Sequence, residues 1–418
     1  MISVSDLIRP SGVHSSLYTD PTIFAEEMAQ IFGQNWVYVG HESEVPERGD
    51  YLRRNIGTEP IILVRGAKGV SVLANRCTHR GNLLCQAERG KTRNFACQYH
   101  GWVFNPEGEL VDTPFPAGQT APRETLGLRR ATVESYRGFV FATFAEHPRP
   151  LAEHLGNARQ VLDRTSDQSP LGEVQIGKTW IKHMFHANWK MLSENEADGY
   201  HVTFVHDSFA KAIRRQAKYG NVLQGEEKRV TAVARSLGNG HAELDYGPTY
   251  GHPMHWLGVP EDRFPAHIEA MHQAYGVERA NHIMQFGPPH AFIFPNLFLA
   301  ETCIVMIQPV DVGHTLNCHA PLLLKGAPDE VNMRILRQGE VAMGPSSFLT
   351  SDDSIIAERQ WRALRGVPGW LDLTRGLNRE HRREDGVVEG HYTDEAPNRG
   401  FWQHYASLMR SESLSHAA

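Results

Sequence analysis

Two short segments each pair one cysteine with one histidine: Cys77-x-His79 in "CTHRG" and Cys97-x-x-His100 in "CQYHGW". Zinc sites built from two of each usually group like with like, thiolates in one half and imidazoles in the other. Here each half supplies one of each kind. A [2Fe–2S] cluster in which one iron takes two thiolates and the other two imidazoles divides its ligands this way, each segment giving one ligand to each iron. Gly81 and Gly101 stand close behind the histidines, where a backbone free to turn tightly can bring its N–H groups to the cluster's sulfides. The competing readings are a single zinc ion or two coincidental pairs. The other cysteines, Cys85, Cys303 and Cys318, read as small buried hydrophobes. Five thiols in a chain of 418 residues make no disulfide framework.

A cluster of this kind moves single electrons, and a second constellation offers a destination. "NWKMLSENEADGYHVTFVH", residues 188 to 206, carries Asp198, His201 and His206. Two histidines and one carboxylate on one face of an ion, with the other positions open, are the donor set of oxygen-activating non-haem iron. The i, i+5 spacing swings two helical side chains about 140° apart, so the segment must bend, widen into a π-type turn or leave the helix for both to face one ion. Asp198 comes too early to be assumed the third ligand. It is placed instead to accept the outer N–H of a metal-bound imidazole, which orients the ring and tunes the metal. Taken alone, the histidine pair is equally a hydrogen-bonded pair in a core or at a surface.

The elements that must position these residues fall into two textures. Thr19 and Asp20 precede an amphipathic pattern with Phe24, Met28, Ile31 and Phe32 on one face and Gly33 at its end, a capped helix. From Trp36 to Phe144 short β-type runs alternate with turn residues, as in "DYLRRNIG", "EPIILVRG", "VSVLANRC", "RNFACQYHGWVFN" and "GFVFATF". "EHPRPLAEHLG" reads as the exit from this all-β unit into a helix. Beyond it, helical segments alternate with strands such as "AFIFPNLFLAETCIVMIQPV", which suggests a larger mixed domain with antiparallel pairing. The expected fold class is therefore α+β, with one domain over 36–155 and a second over 1–35 and 156–418. A net charge of −6 with scattered Lys and Arg favours neither nucleic acid nor anionic lipid. The amino terminus lacks a signal-peptide pattern, and no apolar run approaches the ~20 residues of a membrane span, so a cytoplasmic protein without membrane attachment is expected. No dinucleotide fingerprint or Walker loop is present, so NAD(P)H and flavin are expected on another protein.

"CTHRG" and "CQYHGW" at this separation resemble the Rieske family. With Asn195, Asp198, Tyr200, His201 and His206 following in that order, the chain resembles the large (alpha) subunit of the Rieske non-haem iron aromatic ring-hydroxylating oxygenases, most closely those acting on benzoate-like aromatic acids. The resemblance implies an all-β Rieske [2Fe–2S] domain joined to a catalytic domain with a long antiparallel sheet covered by helices. It implies that Cys77, His79, Cys97 and His100 hold the cluster, and that His201 and His206 bind mononuclear Fe(II) with a carboxylate from much later in the chain. "GPSSFLTSDDSIIAERQW" offers Asp352 and Asp353 at an expected helix start. The family pattern favours Asp353, leaving Asp352 or Ser351 to cap the helix.

Asn195 and Asp198 join the catalytic set by the same resemblance, Asp198 linking His201 to a Rieske histidine of a neighbouring subunit. The implied reaction takes electrons from a reductase, directly or through a ferredoxin, and uses O2 to hydroxylate an aromatic ring, with cis-dihydroxylation as the expected outcome. An alpha3 or alpha3beta3 assembly with a small beta subunit is implied likewise. Val202, Phe204, Met284 and Phe292 are candidates for the substrate pocket, and Arg214 and Arg215 for meeting a substrate carboxylate, although plain core and a solvated helix face are the blander readings. The alternatives are a Rieske electron-transfer protein without oxygenase activity and a zinc-stabilised interaction protein.

Overall fold

Asp20 starts the first helix: its carboxylate accepts from the Thr22 N–H at 2.7 Å, and Pro21 fills the first helical position of α1 (Pro21–Glu27). The inward stripe runs through Ile23, Glu27, Ile31 and Phe32, while Phe24 and Met28 are only half-buried. The helix is rotated from the expected apolar face because Glu27 is drawn into the interior by a buried partner described below. The computed structural model describes residues 4–117, 120–209, 211, 231–344 and 347–409. It divides into two units, Phe32–Leu151 and Met1–Ile31 with Ala152–Ala418.

The first unit is built from short strands. β1 (Val37–His41), β2 (Asp50–Ile56), β3 (Glu59–Arg65), β4 (Val70–Ala74) and β5 (Arg89–Lys91) are followed by β6 (Phe95–Ala96), β7 (Val103–Phe104), β8 (Leu110–Asp112), β9 (Thr132–Tyr136) and β10 (Phe139–Thr143). They form three antiparallel sheets ordered β4-β3-β2-β5, β8-β7-β6 and β9-β10-β1. β3 lies between two neighbours, and its run Ile61–Val64 is wholly buried, as the unbroken apolar text predicts. The run "RNFACQYHGWVFN" is not one strand. It breaks between β6 and β7 into a loop that carries Cys97 and His100, because Gly101 takes a left-handed conformation (φ +71°) that ends the pairing.

The second unit is dominated by one ten-stranded antiparallel sheet. Its elements, in chain order with the helices that position the site, are β11 (Val174–Ile176), β12 (Ile181–Phe185), α2 (Trp189–Asn195), α3 (Val202–Val205), β13 (Val233–Gly238), β14 (His241–Asp245), α4 (Val277–Phe286), β15 (His290–Ile293), β16 (Leu297–Ala300), β17 (Cys303–Asp311), β18 (His314–Leu324), α5 (Asp329–Met343), α6 (Phe348–Gly366), β19 (His381–Arg382), β20 (Val388–His391) and α7 (Ala396–Met409). The strand order is β11-β18-β17-β16-β15-β14-β13-β20-β19, with β12 also pairing β18. Among the described residues no helix is long and apolar enough to cross a membrane.

α2 is held from both ends by buried polar bonds. Near its start, Lys190 Nζ meets Glu27 Oε1 at 2.5 Å, with both side chains fully buried, and Trp189 Nε1 and the Tyr405 hydroxyl donate to the same carboxylate. Near its end, Glu194 accepts from Tyr18 at 2.7 Å and from Trp402 at 2.6 Å. Removing one partner of a dry ion pair leaves the other charge uncompensated, a loss of about 3–5 kcal/mol. Lys190→Met is therefore expected to lower the unfolding free energy by that order in urea titrations followed by tryptophan fluorescence. The Glu27→Leu, Lys190→Met double variant should lose less than Lys190→Met alone.

Candidate metal centres

The two Cys/His loops close in the same way although their histidines differ in position. Cys77 N–H donates to the Asn82 carbonyl and Gly81 N–H to the Cys77 carbonyl, at 2.8 and 2.9 Å; Cys97 N–H donates to Trp102 and Gly101 N–H to Cys97, at 2.7 and 2.8 Å. Both glycines are left-handed (φ +74° and +71°), and a Cβ on Gly101 would stand 2.7 Å from Pro114 Cγ. The loops put their thiols inward: Cys77 and Cys97 are buried with Ile62, Leu73, Phe95 and Phe104 and form no disulfide. Their imidazoles lie toward the outside, with ring centroids 4.5 Å apart and His79 stacked on Trp102.

Burial pushes the Cys77 thiol up. At Cys97 burial is outweighed by the backbone N–H groups of Tyr99 and His100, which hold the thiol below its ordinary value. Such N–H···S bonds suit sulfurs that must stay anionic. Among the described residues only His201, His206 and Asp353 bring three potential ligand atoms within 4.8 Å of one another. Two buried thiols with two outer imidazoles fit a two-iron cluster. Cys85, Cys303 and Cys318 are buried as small hydrophobes.

The second centre is assembled across the fold. After α2 the chain turns and leaves the helix, so that His201 precedes the single turn of α3 and His206 follows it with φ −97° and ψ 23°. This break solves the spacing problem: the two Nε2 atoms face each other at 3.3 Å. Asp353 Oδ1 completes the triangle, 3.6 Å from His201 Nε2 and 3.3 Å from His206 Nε2. Asp352 Oδ2 instead lies 3.7 Å from the outer nitrogen of His206 and accepts from Ser208.

The helix bearing these aspartates does not begin where the sequence suggests. Ser347 is its cap, accepting from the Thr350 N–H at 3.3 Å, so neither Ser351 nor Asp352 caps it and Asp353 lies in its second turn, where the dipole acts more weakly. Asn195, at the end of α2, lines the same cleft as Asp353 and helps to hold its carboxyl down. Asp198 accepts from the Tyr200 N–H at 2.6 Å through one oxygen and lies 3.4 Å from His201 Nδ1 through the other.

The triangle fits an ion. Two ligand atoms each about 2.1 Å from one metal and at a right angle stand ~3 Å apart. The Asp353 Oδ1 atom is buried with no hydrogen-bond partner among the described residues, an arrangement that an apolar core would not tolerate. Burial drives the Asp353 carboxyl up to about 6 against the opposing His201 charge and Asn195 hydrogen bond. Burial and the His201 charge take His206 down to about 4. At His201 burial is outweighed by the bond and charge of Asp198, with Asp353 adding to it, and the imidazole is raised.

Beside the triangle opens a narrow cleft, lined on its helical side by Asn195, Glu196, Asp353 and Gln360 and elsewhere by Phe185, Met343 and Asn317. Burial and the Asp353 charge push the Glu196 carboxyl well above its ordinary range. Val202, Phe204, Met284 and Phe292 are not among the residues lining this cleft. Met284 and Phe292 are core, on α4 and β15, and Phe204 is largely exposed. Arg214 and Arg215 lie outside the described residues. Glu196, Gln360 and Asn317 went unnoticed in the sequence. Glu196 alone had a signal, its place between Asn195 and Asp198.

Residues 35–136 match the Rieske [2Fe-2S] domain, and residues 161–411 match the catalytic domain of the ring-hydroxylating alpha subunits. The chain belongs to the ring-hydroxylating alpha subunit family. It is similar to the large subunit of 2-halobenzoate 1,2-dioxygenase of Burkholderia cepacia, 32% identical over 382 residues that cover 85% of this chain and 80% of that one. It is also similar to toluate 1,2-dioxygenase subunit alpha of Pseudomonas putida, 34% identical over 380 residues, 86% of this chain and 80% of the other. Among solved structures, naphthalene 1,2-dioxygenase from Rhodococcus superposes with a TM-score of 0.83 at 26% identity, covering 96% of this chain and 95% of that chain. The α+β architecture expected of this family is the one observed. The chain is accordingly an oxygenase component with a Rieske cluster and a mononuclear iron, and the electron-carrier and zinc-protein alternatives are not favoured.

Replacing His100 by Cys should keep a two-iron cluster and move its potential downward, because an anionic ligand replaces a neutral one; redox titration of the visible spectrum reads this. His201→Ala and Asp353→Ala should each lose about one iron per chain while the cluster absorption stays, and Asp352→Ala should keep that iron. A carboxyl must shed its proton to ligate, so affinity falls as pH drops through the Asp353 value of about 6. Iron analysis after dialysis at about pH 7 and about pH 5 should show loss of the mononuclear iron at the lower pH.

Proposed function

We propose that this protein is the terminal oxygenase of a system that cis-dihydroxylates an aromatic acid. The observation that carries the reading is the triangle of His201, His206 and Asp353 beside a cleft of mixed apolar and polar lining. It is supported by relatives named for 2-halobenzoate and toluate. An electron carrier would need only the four Cys/His ligands and would leave this triangle without a task.

When bound, the cluster and the iron supply one-electron transfer and activation of O2. His201, His206 and Asp353 would hold the iron on one side and leave the cleft side open. Asn195 borders the Asp353 carboxylate, whose Oδ1 has no hydrogen-bond partner among the described residues and would be available to the metal. Asp198 Oδ2 stands 3.4 Å from the outer nitrogen of His201, where a small closing movement would let it accept the ring N–H and orient the imidazole. Phe185, Met191 and Met343 exclude water and bound the flat face of a ring, and the two methionines can adapt to it.

The chain works in an alpha3 or alpha3beta3 assembly with a reductase, with or without a ferredoxin, and in that assembly Asp198 joins His201 to His79 or His100 of the next chain. The exposed position of His79 and the partial exposure of Asp198 suit such a link.

Metal analysis of anaerobically purified protein should give about three irons per chain. Oxygen uptake with a reducing partner should depend on an added aromatic acid, and product analysis should find a cis-diol. Uptake with no aromatic acid tested, but with unsubstituted aromatic hydrocarbons, would move the substrate class. Asp198→Asn should retain both metal centres while single-turnover oxidation of the pre-reduced cluster slows by about 100-fold, the loss typical of an outer-sphere partner. An unchanged rate would remove Asp198 from the electron path.

A further inference from the structure

The residues that directly follow the two loop glycines do not stay within their own loops. Asn82 follows Gly81 and Trp102 follows Gly101, and their carbonyls hold equivalent places, accepting from the N–H groups of Cys77 and Cys97. Each side chain crosses to a ligand of the other loop. The Trp102 ring stacks on His79, with centroids 4.7 Å apart and planes 9° from parallel. Asn82 Nδ2 donates to Cys97 Sγ at 3.7 Å. The exchange is unequal: one loop gives an imidazole ligand an aromatic face, and the other gives a thiol ligand an N–H.

The Asn82 amide is held in this direction. Nδ2 also donates to the Leu83 carbonyl at 3.0 Å, so both of its neighbours are acceptors and the end of the amide that meets the thiol is the nitrogen. The Asn82 carbonyl is fixed by the Cys77 N–H at 2.8 Å. Just downstream, Asn75 Oδ1 accepts from the N–H groups of Leu84 and Cys85 at 3.1 and 2.8 Å, and Asn75 Nδ2 donates to the Cys85 carbonyl at 2.8 Å. The two cluster thiols respond differently. Burial acts to raise Cys97, but the backbone N–H groups of Tyr99 and His100, the Cys77 thiol and the Asn82 amide together hold it below its ordinary value. Cys77 receives no side-chain amide, and burial raises it.

We infer that Asn82 tunes the reduction potential of the Rieske cluster, holding it higher than the four ligands and their backbone donors alone would. One-electron reduction adds negative charge to the cluster and its thiolates, and an N–H aimed at a thiolate sulfur is attracted more strongly by the reduced form than by the oxidised one. The site is partly buried, with Cys97 at 2% exposure, so water screens this difference little. Asn82 ligates no iron and meets no substrate. It acts from the thiol side and leaves the outward imidazoles uncovered.

Potentiometric titration of the visible spectrum of the holoenzyme reads the midpoint. Asn82→Leu removes the donor and should lower the ratio of reduced to oxidised cluster at a fixed potential by about 5-fold, the weight of one net hydrogen bond, which for one electron is about 40 mV. Asn82→Asp keeps the shape of the side chain, removes the donor and adds a like charge, so its midpoint should fall further. A wild-type midpoint in either variant, with the cluster spectrum intact, overturns the assignment and leaves Asn82 only a part of the loop's scaffold. If both variants lose the cluster, the wild type decides: with nitrogen-15 in its asparagine side-chain amides, pulsed EPR of the reduced cluster should show a coupling to that nucleus, and a spectrum without one overturns the proposal.

Discussion

The Glu27–Lys190 pair is the constraint on which the catalytic unit turns. A lysine and a glutamate taken wholly out of water are tolerated only when each is met by the other and by further hydrogen bonds. Trp189 and Tyr405 complete the carboxylate, so α1, α2 and α7 are tied at one buried point. That fixes the axis of α2, and Glu194, bonded by Tyr18 and Trp402, fixes its far end. Asn195 follows directly and lines the cleft beside Asp353. The polar knot at Glu27, far away in sequence, therefore helps to place the cleft wall next to the triangle.

The same fold leaves several buried polar atoms around the site without a hydrogen-bond partner among the described residues. The free oxygen of Asp353 faces two imidazole nitrogens at 3.3 and 3.6 Å, an arrangement that stabilises nothing until a cation occupies it. The cleft is lined by the carboxyl groups of Glu196 and Asp353 on one side and by the Asn317 amide from the sheet. The cluster loops divide in a comparable way between buried thiols and outward imidazoles.

What could be read from the chain alone were the local features. The cluster loops were legible because all four ligands lie within two short turns, and each turn is closed by bonds between residues four and five positions apart. The break between His201 and His206 was legible because a 3.6-residue helix cannot aim an i, i+5 pair at one point. The small β unit and the antiparallel sheet followed from β-branched and aromatic runs between turn residues, although the strand drawn through Cys97 and His100 had to yield to Gly101.

Other features were decided only by tertiary structure. Asp352 and Asp353 are chemically alike, and the phase of the helix that begins at Phe348 aims one at the histidine pair and the other at its outer edge, since adjacent helical residues point about 100° apart. The inward turn of Glu27 contradicts an apolar stripe and makes sense only with Lys190 beneath it. The lining of the cleft comes from α2, α5, α6, β12 and β18, elements that no local pattern relates. Sequence by itself carried the split Cys/His loops and the family resemblance from which the metals and the chemistry were expected, because ligand type and short spacing are local. That Asp353 and not Asp352 stands between the two Nε2 atoms, and which groups line the cleft, depended on packing between distant elements, because direction in space is set by helix phase and strand register.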